Sequence, residues 1–183
     1  NGHLIYRDLL NDTDIYAIYS TAENQAEDLD ATELQARGIL NGYPLSIFLN
    51  AGPLVALREA HKPYPIVLEV QAGETTVKVE GTLTAPLQLK GMDLQFDMKG
   101  PNPEQLSQIV KLPMPNLPPY HLKGDLSHQE NEGSWKISNL QGRVGDSDLA
   151  GDISVKAVGK LPHIQADLTS KKIDLDDLKP LLG

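Results

Sequence analysis

The sequence predicts a mainly β fold: a curled antiparallel sheet with one apolar concave face, built from repeated strand units and accompanied by a few short helices. Three observations predict it. Apolar and polar residues alternate strictly over much of the chain, and a period of two puts every apolar member of a strand on one side of the sheet. A 20-residue stretch, 81–100, recurs without a gap at 151–170, which marks a structural unit used twice. Finally, Gly, Asn, Asp and Pro clusters punctuate the chain at intervals suited to short strands.

In the repeat, Gly81 and Gly151, Lys90 and Lys160, Gln95 and Gln165, and Asp97 and Asp167 are identical. Leu83 and Ile153, Thr84 and Ser154, Leu94 and Ile164, and Met98 and Leu168 keep their character. Each copy is followed by helical spacing, with Leu106, Ile109 and Val110 in the first and Leu175, Leu178 and Leu181 in the second. The units are expected at about 77–112 and 147–183, within one β-rich domain covering 1–183. A looser third copy is a strand at 45–49 followed by an apolar stretch at 52–57.

Taken in order, strands are expected at 4–8, 14–20, 33–40, 45–49 and 66–71, where alternation is less clean. Clean alternation then begins with Val77, Val79 and Leu83, and continues with Leu94, Phe96 and Met98, and with Leu122 and Leu126. Ile153, Val155 and Ala157 form the next set, and Ile164, Ala166 and Leu168 the last. About ten strands result. Turns are signalled by Gly73 with Glu74, by Asn131 to Gly133 and by Gly145-Asp146-Ser147-Asp148. The proline-rich segment 113–119 lacks the amide donors a central strand needs, so it is a crossing segment. Short helices are expected at 54–60, 104–111 and 175–182.

Three short helices cannot cover ten one-sided strands, and each buried Leu or Ile is worth roughly 1.5–3 kcal/mol relative to exposure. The sheet must therefore curl, face a second sheet, or take an apolar ligand. Thirteen residues are the candidates for lining such a groove: Val77, Val79, Leu83, Leu94, Phe96, Met98, Leu122, Leu126, Ile153, Val155, Ile164, Ala166 and Leu168.

Composition narrows the function classes. A formal net charge of -9 gives no basic stripe and argues against nucleic acid as a partner. There are no cysteines, hence no disulfides or thiolate metal sites. No apolar run reaches the roughly 18 residues of a membrane helix, so the chain reads as a soluble piece of something longer, with any anchor outside it. His3, His61, His121, His128 and His163 are scattered and read as surface residues, not as metal ligands or bases. Gly145-Asp146-Ser147 has the look of a hydrolase serine block, but its hairpin context and the lack of a recognisable His/Asp pair downstream make it a turn. Asp174, Asp176 and Asp177 lack the glycine and glutamate of an EF-hand loop and suit a helix N-terminus instead. No catalytic residue, metal or cofactor is expected.

The segment from Gln141 to Val155, followed by Pro162 and by 168–178, resembles the C-terminal domain of the AsmA-like proteins of Gram-negative bacteria. The resemblance extends through Lys62-Pro63-Tyr64-Pro65, 81–91, Gly100-Pro101-Asn102 and Leu117-Pro118-Pro119-Tyr120, covering most of 40–183. It implies a periplasmic β-body tied to the inner membrane by a helix outside this chain, and an association with phospholipid transport and outer-membrane biogenesis. It implies no catalytic motif. On this reading the partners are phospholipid acyl chains. The alternative is a scaffold with a self-closed β-core in outer-membrane protein assembly. A hydrolase acting through Ser147 is a third, weaker expectation.

Overall fold

The computed structural model describes residues 2–22, 31–58, 62–88, 90–110, 114–129, 133–158 and 161–182. Among these described residues, eleven strands form one antiparallel sheet in which spatial order equals chain order. They are β1 (Gly2–Asp8), β2 (Thr13–Ala22), β3 (Ala31–Leu40), β4 (Tyr43–Ala51), β5 (Tyr64–Ala72), β6 (Thr75–Ala85), β7 (Lys90–Gly100), β8 (Tyr120–Gln129), β9 (Ser134–Val144), β10 (Ser147–Val158) and β11 (Leu161–Thr169). The sheet is a meander and does not close, since β1 and β11 are its two edges. Two α-helices, α1 (Glu104–Val110) and α2 (Leu175–Leu182), follow β7 and β11. The predicted helix at 54–60 is instead a 3-10 turn, Leu54–Arg58, and two more such turns occupy Leu9–Asn11 and Pro86–Gln88.

Among the described residues, strands make extensive contact only with their neighbours in chain order, so there is no second layer. Even so, Leu83 and Leu94 are 5% exposed and Leu140 3%. Burial this deep in a single layer comes from curl, which brings side chains of several strands together on the inner face. Two buried clusters mark it: Leu45, Ala72 and Leu106, and Leu83, Met92 and Leu94.

Glycine and a bulge supply the bending. Gly81 and Gly151 have φ of +145° and +144°, and a Cβ there would collide with the carbonyl oxygens of Asp93 and Asp167 on the next strand. Only glycine lets two backbones approach so closely. In β9, Asn139 has φ +52°, and the register slips on both sides of it, between Lys123 and Asp125 in β8 and between Gly151 and Ile153 in β10. Its displaced amide donates to the Asp152 carboxylate at 3.0 Å and its side-chain amide to Asp125 at 2.6 Å, so the bulge is satisfied.

The two hairpins of the expected repeat differ in register. Gly81 faces Leu94 across its hairpin, whereas Gly151 faces Leu168, not Ile164. β6 stops at Ala85 because Pro86 has no amide to donate and opens a 3-10 turn, while β10 runs on to Val158. The second strand is therefore displaced by four residues relative to the gap-free alignment. An even displacement keeps every side chain on its face, so the period of two is unaffected.

Candidate functional site

The register places all thirteen predicted groove residues on one face. Val77 lies opposite Met98 and Val79 opposite Phe96; Leu94 faces Leu126 and Met98 faces Leu122; Ile153 faces Ala166 and Val155 faces Ile164. Leu83 continues the same side of β6, and Leu168 that of β11, where it meets Gly151. Their accessibility is uneven. Leu83 and Leu94 are packed into the buried cluster, whereas Ile164 is 61% exposed and Leu168 41%, so the face is sealed near the centre and open toward the β11 edge.

The same face extends upstream through Ile15, Leu34, Ile47, Leu49, Ile66, Leu68 and Val70, by continuous pairing from β2 to β6. Trp135, Ile137, Leu140 and Val144 of β9 belong to it as well. The bulge at Asn139 explains why they were missed: two residues instead of one separate Ile137 from Leu140, and the alternation changes phase. His128, expected at the surface, is only partly exposed on this face, with its ring 4.8 Å from that of Trp135.

The two rims of the face differ. One carries both helices. Leu106 of α1 packs on Leu45 and Ala72, with Ile15, Tyr43, Ile47 and Val70 around it, so α1 lies over the end of β2 to β5. Asn102 Oδ1 accepts the Glu104 amide at 2.9 Å as its N-cap. The α2 end is tied to the β9–β10 turn by hydrogen bonds. The Ser147 hydroxyl donates to Asp177 Oδ2 at 2.8 Å and accepts from the Asp174 amide at 2.9 Å. Asp177 Oδ2 also accepts the amides of Asp146 and Ser147, each at 2.9 Å. The Ser147 hydroxyl, followed by its own amide and that of Asp146, holds the Asp177 carboxyl below its ordinary value. Asp148 works alike, accepting the amides of Lys171 and Lys172 and the Ser170 hydroxyl.

The opposite rim carries the 3-10 turns Leu54–Arg58 and Pro86–Gln88, which contact each other. Leu54, Val55 and Leu87 are exposed there at 49%, 76% and 63%. A hollow of about 240 Å³ between the turns is lined by Leu57, Arg58, Ala85, Leu87 and Gln88.

The other side of the sheet is polar. A hollow of about 420 Å³ on it is walled by Lys78, Glu80, Gln95, Asp97, Lys123 and Gln141, among others. Lys78 there pairs with Glu69 at 2.8 Å, and Asp97 takes Lys123 at 3.0 Å and His121 at 2.8 Å. Partial burial would raise the Asp97 carboxyl, but the Lys123 and His121 hydrogen bonds outweigh it and hold it below its ordinary value. Such a surface suits water, not acyl chains.

Ser147 is 4% exposed and committed to the α2 clamp, with no histidine among its described partners. His121 and His163 lie on the polar face, and His61 is outside the described residues. No group of three or more His, Cys, Asp or Glu side chains placed to hold a metal occurs among the described residues, and no described helix is long and apolar enough to cross a membrane.

A signal not seen in the sequence is the buried hydroxyl at the start of strands. Thr13, Thr75, Ser134 and Ser147 are each the first residue of β2, β6, β9 and β10, and all are buried. Each follows a tight reversal containing a residue of positive φ: Asp12, Gly73, Gly133 and Gly145. A short hydroxyl satisfies loop backbone groups where a longer side chain would not fit; Thr13 Oγ1, for example, accepts the Asn41 amide and donates to the Asn11 carbonyl.

Comparison with known proteins gives one reference point. No family model matches the chain, and no solved structure matches it. The AsmA family protein YhjG of Escherichia coli (strain K12) is 29% identical over 153 residues, which make up 82% of this chain and 22% of the relative. The chain thus spans less than a quarter of the length of the curated relative it matches. The similarity to this AsmA family protein extends over most of the chain, which folds as an open, one-sided β-meander.

Proposed function

We propose that the apolar face is a trough that holds phospholipid acyl chains, and that the chain is a non-enzymatic, periplasmic part of an AsmA-like envelope protein contributing to phospholipid transport and outer-membrane biogenesis. Attachment to the inner membrane through a segment outside this chain belongs to the same reading. One observation carries it: the strand pairing from β2 to β11, with the bulge at Asn139 changing phase within β9 alone, keeps the apolar side chains on one face, and among the described residues no second sheet covers that face.

The dimensions support the reading. Eleven strands at about 4.8 Å spacing give a face roughly 48 Å long. An acyl chain spans about 15 Å, half of a bilayer's hydrocarbon core of about 30 Å, so the face has room for several lipids side by side. Apolar burial is insensitive to salt, and the paired charges of the opposite face would leave headgroups in water. The relative's name, AsmA family protein, agrees with the envelope setting but names no lipid.

The test is native mass spectrometry of residues 1–183 purified without detergent, followed by organic extraction. Near-stoichiometric phospholipid supports the trough. A stable, lipid-free monomer that takes up no added phospholipid overturns it in favour of a self-closed scaffold.

A further inference from the structure

We infer that the hollow between the two contacting 3-10 turns is a headgroup subsite for the phosphate of a phospholipid, with Arg58 as its ligand. This rests on the trough reading and adds the place and chemistry of the polar end.

The argument starts from Arg58, which lines this hollow beside Leu57, Ala85, Leu87 and Gln88. On the polar face several cations are answered by a carboxylate: Lys78 by Glu69, Lys123 by Asp97, Arg7 by Asp14. Arg58 has no carboxylate partner among the described residues, in a chain of net charge -9. An unanswered guanidinium is the group best shaped to take two oxygens of a phosphate at once.

The surroundings fit an amphipathic ligand and not a free anion. Leu54, Val55 and Leu87 are exposed around the hollow, a combination of aliphatic side chains and one cation that matches the boundary between headgroup and acyl chain. Ala85 continues the inner face of β6 two residues beyond Leu83, which belongs to the buried cluster with Met92 and Leu94. A lipid whose phosphate meets Arg58 therefore has its chain directed along the inner face. Among the described residues, the helix-bearing rim offers no such mouth, because α1 lies over β2 to β5 and hydrogen bonds tie down α2.

The experiment compares binding of lyso-phosphatidylglycerol with that of a monoacylglycerol of the same chain length to wild type, Arg58→Ala and Arg58→Lys, at low and high salt. The expected result is tighter binding of the phosphate-bearing lipid by wild type, a loss of about five- to tenfold in Arg58→Ala for that lipid alone, and partial retention in Arg58→Lys. Equal loss for both lipids, or no loss, overturns the subsite and leaves the trough standing. Failure of wild type to bind either lipid overturns both. Full displacement of lyso-phosphatidylglycerol by millimolar inorganic phosphate shows a plain anion site and overturns the lipid assignment.

Discussion

The carboxylate of Asp177 and the hydroxyl of Ser147, 30 residues apart in sequence, meet at 2.8 Å, and the same carboxylate oxygen takes two amides of the β9–β10 turn. Gly145 is fixed by the same contact, since a Cβ there would run into the Asp177 carboxylate, and its φ of +58° already favours glycine. The residues with the look of a hydrolase block are thus a buckle between a hairpin and the C-terminal helix.

The buckle is pH-sensitive in a defined direction. The Asp177 carboxyl titrates lower in the folded chain than in the unfolded one, chiefly through the Ser147 hydroxyl and then the turn amides. Its contribution is complete above the ordinary aspartate value of 3.8 and is lost as pH falls below it. The protection of the Asp146 and Ser147 amides, taken relative to the intrinsic exchange rate at each pH, should fall over that range in wild type. In Asp177→Asn the two amides should exchange faster already at neutral pH. Equal protection in both proteins at neutral pH would show that α2 is held by something else.

Glycine requirements separate into two kinds. Gly81→Ala drives a methyl into the Asp93 carbonyl oxygen at φ +145°, while Gly133→Ala, at φ +59°, meets nothing within 4 Å. Gly133→Ala carries only the left-handed backbone cost of roughly 1 kcal/mol, and Gly81→Ala adds the displacement of a strand, for about 3 kcal/mol in all. Urea midpoints of the two variants measure the difference. Similar midpoints would mean that β7 can shift away from β6, and that the close approach does not set the curl.

How much was legible follows from the same geometry. Where alternation is regular, as in β6, β7, β10 and β11, the face of each residue could be read directly, because a period of two has one solution. It failed in β9, where Asn139 changes the phase, and in β4, where Phe48 and Leu49 are adjacent apolar residues on opposite faces. The hairpin length that displaces Leu168 against Leu94 was hidden because a gap-free alignment absorbs a four-residue slip without a change of face. The position of Arg58 beside Leu87 depends on two turns meeting across the sheet, and nothing local in the sequence encodes such a meeting.

Helix α1 should act as a removable cover. Leu106 is 9% exposed and anchors it to Leu45 and Ala72. Leu106→Ala removes that anchor at a cost of roughly 2–3 kcal/mol, seen as a lower urea midpoint. It also uncovers part of the inner face over β4 and β5, so uptake of a fluorescent fatty acid by the folded variant should rise. Unchanged uptake together with lowered stability would make α1 a purely structural element.

The strongest test of the trough uses its middle and its open edge. Phe96 sits in β7 opposite Val79, and Ile164 sits in β11 opposite Val155 at the open edge. Phe96→Asp places a carboxylate in the packed middle of the face, where desolvation opposes the charge, so some loss of stability is expected there. Ile164 is 61% exposed, and Ile164→Asp should leave the urea midpoint almost unchanged. If acyl chains lie on this face, Ile164→Asp alone should lower lipid retention severalfold, and the double variant should abolish it, because a chain in contact would have to desolvate the carboxylate. Full lipid retention in a folded Ile164→Asp, Phe96→Asp variant would mean that the inner face is not where lipid binds, and would direct attention to the rim around Leu54 and Leu87 instead.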